Sequence, residues 1–141
     1  MSFRDISRIA GSAMTAQTVR LNTVASNLAN ADTAAGSEQT AYRSRKPVFA
    51  TQYRGGDGFD GWRGASVGVL DVVQNQEPVR KAHEPGNPLA DADGNVFYSN
   101  VNAVEEMTDM LSASRAFQTN VEVLARVKGM QQDLLKLGDN A

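Results

Sequence analysis

Apolar residues repeat with helical spacing along the first part of the chain. Leu21, Val24 and Leu28 are separated by three and four positions, which places them on one face of an α-helix. Residues that break helices are rare here, because all four Pro and nine of the twelve Gly lie in residues 34–100. The pattern predicts one helix over residues 3–31.

Uncharged polar residues follow the same helix beside its apolar face. Thr23, Asn27 and Asn30 occupy positions where Glu or Lys would favour both helix formation and solubility. Arg20 is the only charged residue in positions 12–31. Amide side chains suit a surface that is buried against other protein, because they form directional hydrogen bonds there. We therefore expect the apolar face to pack within the chain and the amide face to contact neighbouring subunits.

A second apolar repeat near the end of the chain predicts a helix over residues 103–137. Its members recur every three or four residues: Val104, Met107, Leu111, Ser114, Phe117, Val121, Leu124 and Val127. The two helices are predicted to pair within the chain through Leu21, Val24, Leu28, Val104, Met107, Leu111, Phe117, Val121 and Leu124. The predicted subunit interface comprises Arg20, Asn22, Thr23, Asn27, Asn30, Arg115 and Asn120.

Both predicted helices begin at residues that favour helix N-termini. Ser2 precedes the first helix with Asp5 three positions later, and Asn102 precedes the second with Glu105 at the matching position. Side-chain oxygens at such positions accept hydrogen bonds from the free N–H groups of the first turn. Gly138 predicts the end of the second helix.

The middle of the chain has the pattern of strands and turns. "ASVGVLDVV", residues 65–73, predicts a strand, and "DADGNVFY", residues 91–98, predicts a turn at Asp93 and Gly94 before a short strand. "YRGGDGFDGWRGA", residues 53–65, predicts a mobile glycine-rich loop. The expected fold is mainly α with a β insert: residues 1–33 and 101–141 form a coiled-coil core of two helices, and residues 34–100 form the β and loop region.

Composition narrows the classes of partner. The chain has 141 residues, a formal net charge of -2 and no Cys. This charge gives no general attraction to nucleic acid or anionic lipid, and the lack of Cys excludes disulfides and thiolate metal sites. The sequence shows neither the layout of a cleaved signal peptide nor an apolar run long enough to span a bilayer. We expect no nucleic-acid partner and no membrane insertion.

Three sequence features resemble functional sites, but none meets the requirements of the site that it resembles. Residues 56–61 match G-x-G-x-x-G, but the two aspartates in this segment would repel a phosphate. Asp91 could begin a calcium loop, but Asn102 stands twelfth, where a bidentate Glu is required. His83 is the only histidine, and no Ser lies in a nucleophile elbow. We predict no enzyme activity, no cofactor and no metal site.

A small basic cluster consists of Arg43, Arg45 and Lys46. One interpretation is a solvated strand edge, since exposed charges contribute little energy. The other is a contact with an acidic neighbour. The sequence alone leaves both open.

Both ends of the chain resemble one protein family. "RLNTVASNLANADT", residues 20–33, resembles the N-terminal signature of flagellar rod and hook axial proteins. "YSNVNAVEEMTDMLSASRAFQTNVEVLARVKGMQQDLLKLG", residues 98–138, resembles the C-terminal signature of that family. The short length, with "YRSRKPVFA" and "NPLADADGNVFYSNVN", is similar to the proximal-rod members rather than to the longer distal-rod and hook members.

The resemblance implies a structural subunit of the bacterial flagellar basal body. Such a subunit assembles into a helical tube that transmits motor torque and forms the export channel. The implied partners are copies of the chain, other rod proteins, the flagellar type III export apparatus, and MS-ring or adaptor proteins at the rod base. The implied location is the rod across the periplasm, reached without a cleaved signal peptide.

Two other classes of protein remain open on the sequence. A coiled-coil adaptor or binding module would form a discrete oligomer, whereas a rod subunit would stay monomeric until a template is present. A membrane-surface protein would need Lys and Arg along the polar face of its helix, where residues 12–31 offer only Arg20.

Overall fold

In the part of the chain that the structure describes, two helices, one near each end, flank five strands. The computed structural model describes residues 2–55 and 62–139. The elements in chain order are α1 Phe3–Ala29, β1 Ala34–Ala35, β2 Arg45–Gly55, β3 Trp62–Gln74, β4 Arg80–His83, β5 Asn95–Tyr98 and α2 Ala103–Asp139. The order confirms the predicted helical ends with a β insert between them.

Helix α1 begins with the predicted capping box. The Ser2 N–H donates to Asp5 Oδ2 over 3.0 Å, and the Asp5 N–H donates to Ser2 Oγ over 3.3 Å. The bond from the Ser2 N–H above all, together with one from the Ser2 hydroxyl to the same Asp5 oxygen at 2.9 Å, lowers the pKa of Asp5 because both bonds favour its ionised form. The helix ends at Ala29 rather than at the predicted residue 31, and a short turn follows in which the Ala31 N–H donates to the Leu28 carbonyl over 3.2 Å.

Helix α2 begins as predicted and ends later than predicted. Asn102 Oδ1 accepts the Val104 N–H over 3.1 Å, which confirms the N-cap. The Glu105 carboxylate does not complete the expected box and instead binds Lys46 Nζ at 3.0 Å. The predicted stop at Gly138 is wrong, because α2 continues through that residue. A glycine in a helix costs only about 1 kcal/mol relative to alanine, which a long helix tolerates.

The strands form two separate sheets. One has the order β1-β5-β4 and is antiparallel, with Ala34 opposite Tyr98 and Lys81 opposite Phe97. The other consists of β2 and β3. Strand β3 includes all of residues 65–73 and confirms the strand predicted there.

Strands occupy both ends of the stretch predicted as a glycine-rich loop. Strand β2 extends to Gly55 and β3 starts at Trp62, so both ends of residues 53–65 belong to strands. The centre of that stretch, including the G-x-G-x-x-G match at residues 56–61, lies outside the described residues.

The turn between β4 and β5 forms where the sequence predicts it. Gly94 has a φ of +75°, a conformation that favours glycine. Asp91 Oδ1 accepts the N–H groups of Asp93 over 3.0 Å and Asn95 over 2.7 Å. The carboxylate of Asp91 is therefore a turn cap. Within residues 2–55 and 62–139, no group of three or more metal-binding side chains is placed to hold an ion.

The chain divides into two compact units, each built from three segments. The first consists of Met1–Val19, Val48–Asp71 and Ser112–Ala141. Its buried apolar residues are Ala10, Ala16, Ala113 and Val127. Ser12 Oγ joins two segments of this unit, because it accepts the Val67 N–H over 3.1 Å. Three of these four residues are alanines, so small side chains dominate this interior.

The second unit consists of Arg20–Pro47 and Val72–Leu111. Its buried apolar residues are Val24, Ala41 and Val96. Five polar residues are buried with them: Thr23, Asn27, Ser44, Ser99 and Glu106. An interior with this many polar groups depends on hydrogen bonds, since a buried polar group without a partner is costly.

Candidate interaction surface

Asn27 lies at the centre of a buried polar cluster in the second unit. Its side chain is 0% exposed. Oδ1 accepts the Arg45 N–H over 2.9 Å and the Tyr42 hydroxyl over 3.1 Å. Nδ2 donates to the Arg45 carbonyl over 2.8 Å, and the amide also lies close enough to Glu106 to lower the pKa of its carboxyl group. The three bonds use both acceptor positions of the amide oxygen and one of its two N–H groups.

Glu106 is the acidic member of this polar cluster. The residue is 5% exposed, and burial is the main reason that its pKa is raised. Asp109 and Glu105 raise the pKa further, while the Asn27 amide and Lys46 act in the opposite direction. Ionisation of Glu106 in the folded chain therefore costs free energy, because the group is buried and its chief neighbour is a neutral amide.

Two ion pairs lie beside the polar cluster. Arg20 Nη2 on α1 lies 2.9 Å from Asp109 Oδ1 on α2. Lys46 Nζ on β2 lies 3.0 Å from Glu105 Oε1, and this hydrogen bond raises the pKa of Lys46. All four side chains are partly exposed, so each pair contributes modestly to stability. Their main effect is to compensate the charges at the start of α2.

The basic cluster is in contact with acidic and aromatic neighbours. Besides Lys46, Arg43 lies 3.4 Å from Glu38 Oε1. The Arg45 guanidinium carbon lies 5.7 Å from the centre of the Tyr42 ring. Of the two interpretations left open by the sequence, contact with an acidic neighbour describes Arg43 and Lys46, and Lys46 is in addition a solvated strand residue.

The polar face predicted to contact neighbours on α1 is largely used inside the chain. Thr23 and Asn27 are buried, Arg20 is paired with Asp109, and Asn30 Nδ2 donates to the Ser26 carbonyl over 2.8 Å. For Thr23 and Asn27 this corrects the expectation that they face other subunits, whereas for Arg20 and Asn30, which are partly exposed, that expectation stays a prediction. The reason is that β2 offers backbone groups and α2 offers carboxylates, which together bind the amide face. Asn22 is exposed, as the predicted interface requires.

The apolar face predicted to pair α1 with α2 is only partly enclosed. Val24 is buried, whereas Leu21 and Leu28 are half-buried. The inner side of α1 is thus turned from the leucines toward Thr23 and Asn27. The hydrogen bonds made by those polar side chains, not the apolar spacing alone, set the rotation of the helix.

On α2 the predicted pairing face is mostly exposed. Val104 is 73% exposed, Met107 57% and Leu111 61%. Val121 is exposed as well, while Phe117 and Leu124 are half-buried. This corrects the expectation that all six side chains pack against α1. The buried positions of α2 are instead Glu106, Ala113 and Val127.

The remaining predicted interface residues lie in the second half of α2. Arg115 is exposed and Asn120 is half-buried. The Asn120 Nδ2 donates to the Ala116 carbonyl over 2.8 Å, within its own helix.

Two exposed helix faces of the second unit are candidates for contact with other molecules. The α2 outer face consists of Val104, Met107 and Leu111. The α1 outer face consists of Asn22, Ala25 and Ala29, all exposed. The sequence pattern assigns these α2 residues to a different contact, the pairing with α1. It does not single out Tyr42 or Glu106 as site residues, since neither departs from what a loop or a first helical turn ordinarily contains.

No helix in the described part of the chain combines the length and apolarity needed to cross a membrane.

Comparison with known proteins agrees at both ends of the chain. The family described as "Flagella basal body rod protein" matches residues 8–34. The family described as "Flagellar basal body rod FlgEFG protein C-terminal" matches residues 92–137. These matches cover most of α1 and α2, the two elements that carry the exposed faces.

Full-length relatives extend the match across the β insert. The chain is 48% identical to "Flagellar basal-body rod protein FlgC" of Escherichia coli O6:H1 over 98% of its own length and 99% of the relative. It is 46% identical to the FlgC protein of Salmonella typhimurium over the same shares. The FlgC protein of Borreliella burgdorferi is 31% identical over 92% of the chain and 93% of the relative. With such identity over nearly its whole length, the chain belongs to the FlgC family of flagellar basal-body rod proteins.

Proposed function

We propose that this chain, a structural subunit of the flagellar basal-body rod and not an enzyme, joins its neighbours through the exposed faces of its two helices. The two helices of each copy pack together as a coiled-coil core. Neighbouring subunits then cover the exposed faces of those helices. The polar cluster around Asn27 holds α1, β2 and the start of α2 in a fixed arrangement, so that the outer faces are presented in a defined geometry.

The observation that carries this proposal is the exposure of the α2 outer face. Three large apolar side chains on consecutive turns of one helix are more than half exposed. Burying such a side chain stabilises an assembly by about 1.5–3 kcal/mol. A contiguous exposed apolar surface of this kind is typical of a protein–protein contact.

The family match extends the proposal to partners and location. Copies of the chain and other rod proteins form the tube that transmits motor torque and encloses the export channel. The type III export apparatus delivers the chain without a cleaved signal peptide, and MS-ring or adaptor proteins contact the rod base. The rod then spans the periplasm. The FlgC names of the relatives support assembly in the rod.

A charge placed on the α2 outer face tests the proposal. We expect Leu111→Asp to abolish rod assembly, because a buried unpaired carboxylate costs several kcal/mol. Ser112→Asp is the matched control, since Ser112 is also exposed but lies outside the face. Each variant is expressed in a strain that lacks the native gene, and motility, isolated basal bodies and the cellular amount of the chain are measured.

The cellular amount separates assembly from folding, because Leu111 contributes little to the interior of its own chain. A non-motile strain with normal amounts of Leu111→Asp supports the proposal. A motile strain carrying Leu111→Asp contradicts it. Recovery of the wild-type chain as a discrete soluble oligomer, without rods, would favour an adaptor instead.

A further inference from the structure

We propose that the α2 outer face of one copy packs on the α1 outer face of a second copy in the assembled rod. The inference rests on the proposed function and deepens it by naming the two surfaces that meet. The α2 outer face is Val104, Met107 and Leu111, and the α1 outer face is Asn22, Ala25 and Ala29.

The two faces have matching spacing. On both helices the three exposed residues are separated by three and then four positions. This is the a-to-d spacing of helices that pack along a shared seam. Side chains spaced in this way meet side by side over two turns of each helix.

The two faces also differ in size in a complementary way. Val104, Met107 and Leu111 are large and protrude, whereas Ala25 and Ala29 are small. Small residues allow the axes of two helices to approach closely, so large side chains of the partner fill the space between them. A contact of two α1 faces would leave that space poorly filled.

The faces point away from the interior of their own unit. One residue advances an α-helix by roughly 100°, so the α1 outer face lies roughly 160° around the helix from Thr23 and Asn27. The α2 outer face lies roughly 160° around its helix from Glu106 and Asp109 by the same geometry. Because the inner sides of the two helices are joined by the Arg20–Asp109 and Asn27–Glu106 contacts, the outer faces cannot meet within one copy.

Two different faces on one subunit produce a head-to-tail contact. When the α2 outer face of one copy binds the α1 outer face of the next copy, the contact repeats and builds an open array instead of a closed pair. A rod requires an array of this kind. A symmetric contact between two α2 outer faces would stop at a dimer.

The charges around the faces are compatible with this pairing. The α1 outer face carries no charged residue, and the only charge in residues 12–31, Arg20, is already paired with Asp109. Near the α2 outer face, Glu105 is paired with Lys46. Joining α2 to α1 therefore buries no uncompensated charge.

The absence of Cys from the chain allows a direct test by cross-linking. Ala25→Cys and Met107→Cys, at the middle of the two faces, are co-expressed as separate chains in a strain lacking the native gene. Assembled basal bodies are treated with a short bis-maleimide, which tolerates a shift along the helices. The products are separated on a denaturing gel. We expect a dimer from the mixture and none from either single variant in the absence of the other.

Each outcome decides between defined alternatives. A dimer from Met107→Cys alone shows that two α2 faces meet, and one from Ala25→Cys alone shows that two α1 faces meet; either overturns the inference. Motile cells whose basal bodies give no dimer also overturn the inference. That result leaves the proposed function intact, because the proposed function fails only if the strain carrying Leu111→Asp is motile. If Ala25→Cys does not assemble, Asn22→Cys replaces it, with the same expected result and the same contradicting results.

Discussion

The side chain of Asn27 forms hydrogen bonds with both the backbone N–H and the backbone carbonyl of Arg45. Its Oδ1 accepts the Arg45 N–H at 2.9 Å and its Nδ2 donates to the Arg45 carbonyl at 2.8 Å. The amide thereby replaces the partner that the first residue of β2 would find in a neighbouring strand. This pair ties the end of α1 to the start of β2 and determines which sides of α1 remain exposed.

Removal of the Asn27 amide destabilises the chain itself. In Asn27→Ala, the Arg45 backbone and the Tyr42 hydroxyl lose buried partners, so we expect the free energy of unfolding to fall by about 2–4 kcal/mol. Urea unfolding of the purified chain measures the change. Asn22→Ala, an exposed amide on the same helix, serves as control and should stay within about 0.5 kcal/mol of wild type. Equal stability of the two variants would refute a central role for Asn27.

The charge of Glu106 makes the stability of the second unit depend on pH. Burial raises the pKa of Glu106 above its ordinary value of 4.5. The folded state thus holds this proton more tightly than the unfolded state. The resulting stabilisation is complete below pH 4.5 and is lost as the pH rises through the higher folded pKa.

Replacement of Glu106 by a neutral isostere tests this dependence. We expect Glu106→Gln to unfold at a higher urea concentration than wild type at pH 7, because no buried charge remains, with the gap closing as the pH falls toward 4.5. The charged groups around the site, Lys46, Glu105 and Asp109, are unchanged in this variant. Glu105→Gln, which loses the exposed pair with Lys46, should show no such gain. A less stable Glu106→Gln at pH 7 would mean that the ionised carboxylate is favoured by its hydrogen bonds.

The turn between β4 and β5 requires glycine at one position. Gly94 has a φ of +75°, and a Cβ there would lie 3.0 Å from His83 Cε1. We expect Gly94→Ala to lower the free energy of unfolding by about 1–2 kcal/mol. At Gly86 a Cβ would meet nothing within 4 Å, so Gly86→Ala is the control. Thermal unfolding of both variants checks the difference, and identical midpoints would argue against strain at Gly94.

Local sequence signals predict both helices and the strands β3 and β5 of this fold, but give no bounds for β1, β2 or β4. Ser2 and Asn102 mark the helix starts because a cap acts on backbone groups two or three residues away. Residues 65–73, whose apolar side chains alternate, fall within β3, because alternation too depends only on neighbouring residues. Gly138 is misleading because a glycine is compatible with both the end and the interior of a helix.

The sides that the helices bury depend on partners far away in the sequence. Leu21, Val24 and Leu28 form a regular apolar repeat, yet on α1 it is Asn27 whose side chain is 0% exposed. Its partner Arg45 lies 18 positions along the chain, and nothing in the spacing of α1 reveals that contact. The apolar repeat of α2 likewise predicts that its outer face packs inside the chain, because periodicity identifies an apolar face but not the partner of that face.

A density map of the intact basal-body rod at side-chain resolution tests the central claim most directly. We predict that Val104, Met107 and Leu111 of each copy are covered by a helix from a neighbouring subunit. A map in which these three side chains face solvent or the open channel, with no other subunit against them, would contradict it.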